Sequence, residues 1–276
     1  MIPRILPYTN GENCLELLRG CRNQLVSIRG TNQAETVGRY IEWATLWAEQ
    51  LSRCLFEAEI NRLILTPRFY AILSNSGGSY PLSFPLVSAE MVTRQETLAS
   101  SIEDLMLALN RWKASERLVV FDTNVYLHAP QLFPEFPLYD YCAGSANTHL
   151  MILMVNLDEL DGQKRGNSPA TTKERARETL RRVEELIRVP DQVVEIPHGA
   201  GARSVEVVLD PPGHVRLPRN DDEIIDRARS IGDVAGRKVT LITGDVGMLI
   251  RARGAGLDVH HIEWPDVQPA GRGRRV

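Results

Sequence analysis

Alternation of strand and helix patterns constrains this chain more than any other feature. From Arg117 onward, "RLVVFD", "HLMILMVN" and "KVTLIT" read as buried β-strands, and each adjoins a helical pattern. "TTKERARETLRRVEELIRV" and "NDDEIIDRARSIGDVAG" lie between the second and third strands, and "GDVGMLIRARGAG" follows the third, with Gly254 and Gly256 as its C-terminal stop. "LDVHHIEW" reads as a fourth strand. Continuous apolar strands alternating with helices predict a parallel sheet covered by helices on both faces. Sites in such sheets form at the carboxyl ends of strands, where the strand order reverses. "VVEIPHGAGARSVEVVLDPPGHV" interrupts the alternation and reads as a hairpin or an extended insertion.

Residues 12 to about 114 have a different texture. Val37, Tyr40, Ile41, Ala44, Trp47, Ala48, Leu51, Cys54 and Leu55 recur at helical spacing, as do Met91, Leu98, Ile102, Leu105, Leu109 and Trp112, with Ser88 placed to cap the second helix. "SNSGGSYPLSFPL" between them is a Gly/Pro/Ser loop. Trp43, Trp47 and Trp112 suit core packing, with a ligand surface as the alternative. This gives a mainly helical N-terminal domain over 1–115, an α/β domain over 116–265 and a basic, disordered tail over 266–276.

The 276 residues are 43% apolar and 24% charged, enough for an ordinary core. With a net charge of −3, affinity for an anionic partner must come from local basic patches. Cys14, Cys21, Cys54 and Cys142 form no CxxC pair and read as reduced thiols, which suits a cytoplasmic protein. "MIPRILPYTN" has no apolar signal-peptide core, and no run of 18 apolar residues predicts a membrane span.

Acids occupy comparable places at the strand ends. Asp122 closes the first strand, Glu159 lies just past the second, Asp245 just past the third, and Asp221 and Asp222 open the helix "NDDEIIDRA". Each alone has an ordinary explanation, such as helix capping for Asp245 or a favourable first-turn charge for Asp221 and Asp222. Together they repel: two unit charges about 4 Å apart cost roughly 4 kcal/mol at an effective dielectric near 20. A divalent cation reverses that sign, and hard oxygen ligands suit Mg²⁺ or Mn²⁺.

The motifs "VVFDTNVYLH", "MVNLDELDGQKRG", "NDDEIIDRA" and "LITGDVGMLIRARGAG", over about Leu118 to Trp264, resemble the PIN-domain ribonucleases. That resemblance implies a PIN-like three-layer α/β/α sandwich with a central parallel sheet and metal-dependent hydrolysis of RNA phosphodiester bonds. By position it implies Asp122, Glu159, Asp222 and Asp245 as the metal-binding, catalytic acids, with Asp221 in place of Asp222 if the register slips by one. Asn124 and Thr243 match the polar residues that orient those acids, and Arg251 a basic position; Gly244 departs from the pattern.

Substrate contacts are expected from Lys164, Arg165, Lys173 and Arg175, in a segment (161–182) with seven cationic residues against three acidic ones. The same segment could equally be a solvated, ion-paired helix. His128 reads as a packed or exposed residue without chemistry, and His260 and His261 as distant from the acids. Asn124 stands where a haloacid-dehalogenase-like phosphatase needs a second acid, and the absence of GxGxxG after the first strand argues against a dinucleotide site. The non-enzymatic alternative is a catalytically silent PIN-like RNA-binding or assembly protein, its N-terminal helices docking a partner or a second copy.

Overall fold

A computed structural model describes residues 2–7, 9–75, 83–113, 115–136, 147–189, 192–196, 202–210 and 214–263. Cys142, the middle of the expected Gly/Pro/Ser loop, "PHGAG" and the basic tail lie outside the described residues. The chain forms two compact units: Met1–Ala114 with Pro211–His214 and Arg229–Lys238, and Ser115–Asp210 with Val215–Ala228 and Val239–Val276. Among the described residues no helix is long and apolar enough to cross a membrane.

The first unit contains helices α1 (Gly11–Ser27), α2 (Gln33–Leu51), α3 (Glu57–Leu63), α4 (Pro67–Asn75) and α5 (Ser83–Lys113). Asn10 and Asn32 cap α1 and α2 by accepting the N–H groups of Glu12 and Glu35 at 2.7 and 2.9 Å. α5 starts five residues before the expected cap Ser88, because fully buried Val87 extends the apolar face of Met91 upstream. Trp43 and Trp112 are core residues, whereas Trp47 is only half-buried. Trp43 can be buried because its Nε1 donates to Cys21 O at 3.0 Å. Glu90, also buried, accepts from Thr66 at 2.6 Å and pairs with Arg94 at 3.0 Å and Arg68 at 3.2 Å.

The second unit is a mixed α/β domain whose central sheet is flanked by helices. Its strands are β1 (Arg117–Phe121), β2 (Asn147–Leu153), β3 (Val194–Glu195), β4 (Ala202–Val208), β5 (Val239–Thr243) and β6 (Asp258–His261), in the order β3-β4-β2-β1-β5-β6. All neighbours are parallel except β3 and β4, which are antiparallel. The stretch left open between hairpin and insertion therefore supplies β4, a full parallel strand beside β2, with β3 as a short edge. The helices are α6 (Thr123–His128), α7 (Met154–Arg165), α8 (Ala170–Leu186), α9 (Asn220–Ala235), which belongs to this unit as far as Ala228, and α10 (Val246–Gly254).

Alternate residues of β1, Val119 and Phe121 against Leu118 and Val120, are all fully buried, so both faces of the sheet are covered. Val119, Phe121, Leu150, Ile152, Val205 and Val207 share one core with Val125 and Tyr126 of α6, Leu160 of α7 and Val183 of α8. Phe121, Tyr126, Phe133 and Phe136 cluster there with ring centroids 5.1 to 6.3 Å apart. This packing anchors α6, and with it the turn that holds Asp122.

Candidate metal centre

β1 lies between β2 and β5, so the chain leaves β1 in one direction and later returns on its other side. The crevice at such a reversal is where strand-end side chains of separate segments meet. Phe121 pairs with Ile242, and the ladder continues one step as Asp122 N–H donates to Ile242 O at 2.9 Å. Asp122 and Thr243 thus come side by side.

Asp122 is only 3% exposed. Its Oδ2 accepts the Thr243 hydroxyl at 2.8 Å, and its two oxygens accept the backbone and side-chain N–H groups of Asn124 at 3.3 and 3.4 Å. Burial pushes its carboxyl above the ordinary value. The charges of Asp221 and Glu159 push it further, against the hydrogen bonds from Thr243 and Asn124. Carboxylates from two other segments therefore act on one buried group. Of the two adjacent α9 acids, Asp221, the register alternative, is the one whose charge acts there.

Asp245 caps α10, its Oδ1 accepting Met248 N–H at 2.6 Å, while its own N–H donates to Thr243 Oγ1 at 3.0 Å. Capping uses one carboxylate oxygen and leaves Oδ2 without a hydrogen-bond partner among the described residues. Thr243, fully buried, therefore joins two of the acids, as expected of an orienting residue. Glu159, half-buried on α7, has no ion-pair partner among the described residues. Among those residues, no three of Asp122, Glu159, Asp221, Asp222 and Asp245 offer oxygens all within 4.8 Å of one another.

Several supporting residues were missed from the sequence. Asn156 is fully buried at the start of α7. It accepts Leu153 N–H at 3.2 Å and donates to Phe121 O at 3.2 Å and Thr123 Oγ1 at 3.1 Å, tying the ends of β1 and β2 together. Its signal was an amide directly behind an apolar run. Arg216 pairs with Asp210 at 2.7 Å and also with Asp158, so the approach to α9 is linked to the first turns of α7. Glu223 accepts Leu217 N–H at 2.9 Å and folds that approach onto α9. Asp210 and Glu223 have carboxylate oxygens within 4.8 Å of each other, a second pair of oxygen donors. His261, expected to be distant, is the register partner of Thr243 and lies 3.3 Å from Gly244 O, because β6 adds beside β5 in parallel. His128 is exposed at the end of α6.

Lys164, Arg165, Lys173, Arg177 and Arg181 line a groove of about 750 Å³ with Leu180 and Glu184. Lys164 and Arg165 pair with Asp161, and Arg181 with Glu178 at 2.7 Å, whereas Lys173 and Arg177 have no ion-pair partner among the described residues. Arg175 departs from its expected place among the substrate contacts. Its guanidinium donates to Tyr126 O at 3.2 Å and to the carbonyls of Ala129 and Gln131, so it braces α8 against the end of α6.

The profile of the PIN domain matches residues 119–263, more than half of the chain. The chain belongs to the PIN-domain family. No curated protein matches this PIN-domain chain. Among solved structures it is similar to a domain of a functionally unknown protein from Methanocaldococcus jannaschii DSM 2661, at 14% identity and a TM-score of 0.34, over 55% of this chain and 96% of that one. The acids near the strand ends of this PIN domain offer oxygen donors only, spread more widely than the ligand shell of one ion. Mg²⁺ is commonly held by one or two carboxylates, with waters completing its octahedron, so the residues present fit a hard divalent cation.

Proposed function

We propose that this PIN domain is a metal-dependent ribonuclease hydrolysing RNA phosphodiester bonds. Asp122, Glu159, Asp221 and Asp245 would hold Mg²⁺ or Mn²⁺, directly or through water, and residues 116–265 would be the catalytic domain. The observation that carries this reading is the buried carboxylate of Asp122, 3% exposed at the end of β1 and joined through Thr243 to Asp245 of another segment. A native chain retains such an arrangement at neutral pH most readily when a cation answers it.

A bound divalent ion would supply Lewis-acid stabilisation of the phosphate and a more acidic water. The chain's own residues supply the orientation. Thr243 and Asn124 hold the Asp122 carboxylate, and Thr243 also fixes the backbone of Asp245. Asn156 fixes the turn after β1. Lys173 and Arg177, unpaired in the groove, would take RNA phosphates, with Lys164 and Arg165 exchanging Asp161 for them.

The test is cleavage of a panel of RNAs with Mg²⁺ or Mn²⁺, comparing the wild type with Asp122→Asn. Cleavage that needs the metal and disappears in the variant supports the assignment. Cleavage that persists in Asp122→Asn, or RNA binding with no cleavage by either protein, rejects it.

A further inference from the structure

Arg251 of α10 reaches two acids of α9. Its Nη2 donates to Asp221 Oδ2 at 2.7 Å, and its Nε lies 3.0 Å from Asp222 Oδ1. A Cβ built on Gly247 would lie 3.5 Å from Arg251 Nη1 and 3.1 Å from Asp245 Oδ1. A planar guanidinium with a fixed fork of donors can bridge two carboxylates in this way, whereas a lysine ammonium acts as a point charge. Arg219 approaches the same two acids only to 3.8 and 3.7 Å and is the more exposed of the two arginines.

Asp221 has two claims on it. It is bound by Arg251, and its charge acts on buried Asp122. In an octahedral Mg²⁺ site with oxygens at 2.0–2.1 Å, neighbouring ligands stand about 3 Å apart. The acids here are more widely spread than that, no three of the five lying mutually within 4.8 Å among the described residues. One oxygen of Asp221 is taken by Arg251, so a cation bound through that oxygen would displace the guanidinium.

We propose that Arg251 is the resting counter-ion of the acidic centre, a positioning residue that offsets part of the charge of Asp221 and Asp222 without metal and that a divalent cation displaces from Asp221. The inference rests on the metal-centre reading above. It adds that metal affinity is set by competition with a cation of the chain itself, which lowers the negative charge of the centre until an ion arrives.

Calorimetric titration of the full chain with Mn²⁺ tests this, using the wild type, Arg251→Gln, Arg251→Lys and Asp122→Asn. Loss of a half-exposed ion-pair competitor tightens Mn²⁺ binding roughly fivefold in Arg251→Gln, with Arg251→Lys between it and the wild type. A structural role alone would leave affinity unchanged or weaken it. Wild-type binding that Arg251→Gln leaves equal or weaker overturns the proposal while the metal centre stands. Should Arg251→Gln not fold, an Arg251→Lys variant binding no tighter than wild type overturns it equally. Absence of Mn²⁺ binding in wild type and both Arg251 variants overturns this proposal and the metal centre together.

Discussion

Thr243 donates its hydroxyl hydrogen to Asp122 Oδ2 at 2.8 Å, across the pair formed by β1 and β5. Thr243 Oγ1 in turn accepts Asp245 N–H, so one buried hydroxyl orients two acids. Thr243→Val keeps the shape and removes both bonds. Stability is expected to fall by about 1–3 kcal/mol, since a buried carboxylate loses its donor. Cleavage or metal affinity should fall roughly 10- to 100-fold, as for partners that orient metal ligands. Urea unfolding and the metal dependence of cleavage measure the two effects.

Asp122→Asn should separate stability from activity. The folded carboxyl titrates above its ordinary 3.8, first because it is buried and then because Asp221 and Glu159 are near. Between the unfolded and folded values the native state binds more protons than the unfolded chain. Stability therefore falls as pH rises through that window and stays reduced above it. Asparagine keeps the cap on α6 and removes the buried charge. The expected outcome without metal is a higher Tm for Asp122→Asn at pH 7, a gain that vanishes below about pH 4. Adding Mn²⁺ should raise the wild-type Tm and leave the variant unmoved, as thermal melts with and without the ion would show.

Lys173 and Arg175 share α8 but should behave differently. Lys173→Glu places a negative charge in the groove, weakening RNA binding and reducing the salt slope by about one while leaving Mn²⁺ affinity unchanged. Arg175→Ala removes the donor to three carbonyls and should cost about 1–3 kcal/mol of stability. Filter binding across a salt series, paired with chemical unfolding, distinguishes a phosphate contact from a brace.

Glu90 holds the N-terminal helices from inside. Glu90→Ala leaves the nearly buried Arg94 without its carboxylate partner and Thr66 without its acceptor. Breaking one side of a buried ion pair costs about 3–5 kcal/mol, so a drop of that order is expected by circular dichroism in urea.

Residue pattern made much of this legible. Apolar runs ending in Asp122 and Asp245 marked strand ends, because a continuous apolar stretch of that length is buried on both faces only in a covered sheet. Other features escaped for geometric reasons. β4 was hidden by the Gly- and Pro-rich stretches beside it, and its membership depends on pairing with β2 rather than on local propensity. The position of His261 next to Thr243 likewise follows from strand order, since β5 and β6 adjoin in the sheet.

The sequence by itself determined the PIN-domain pattern: acids behind apolar strands, a threonine and an asparagine beside them, and a basic stretch close by. Only the tertiary structure decided that Arg175 donates to three backbone carbonyls and that Arg251 binds both acids of α9. Residue type and spacing set what each side chain can do. Helix rotation and strand order set which groups stand within a few ångströms, and electrostatic energy depends on that separation.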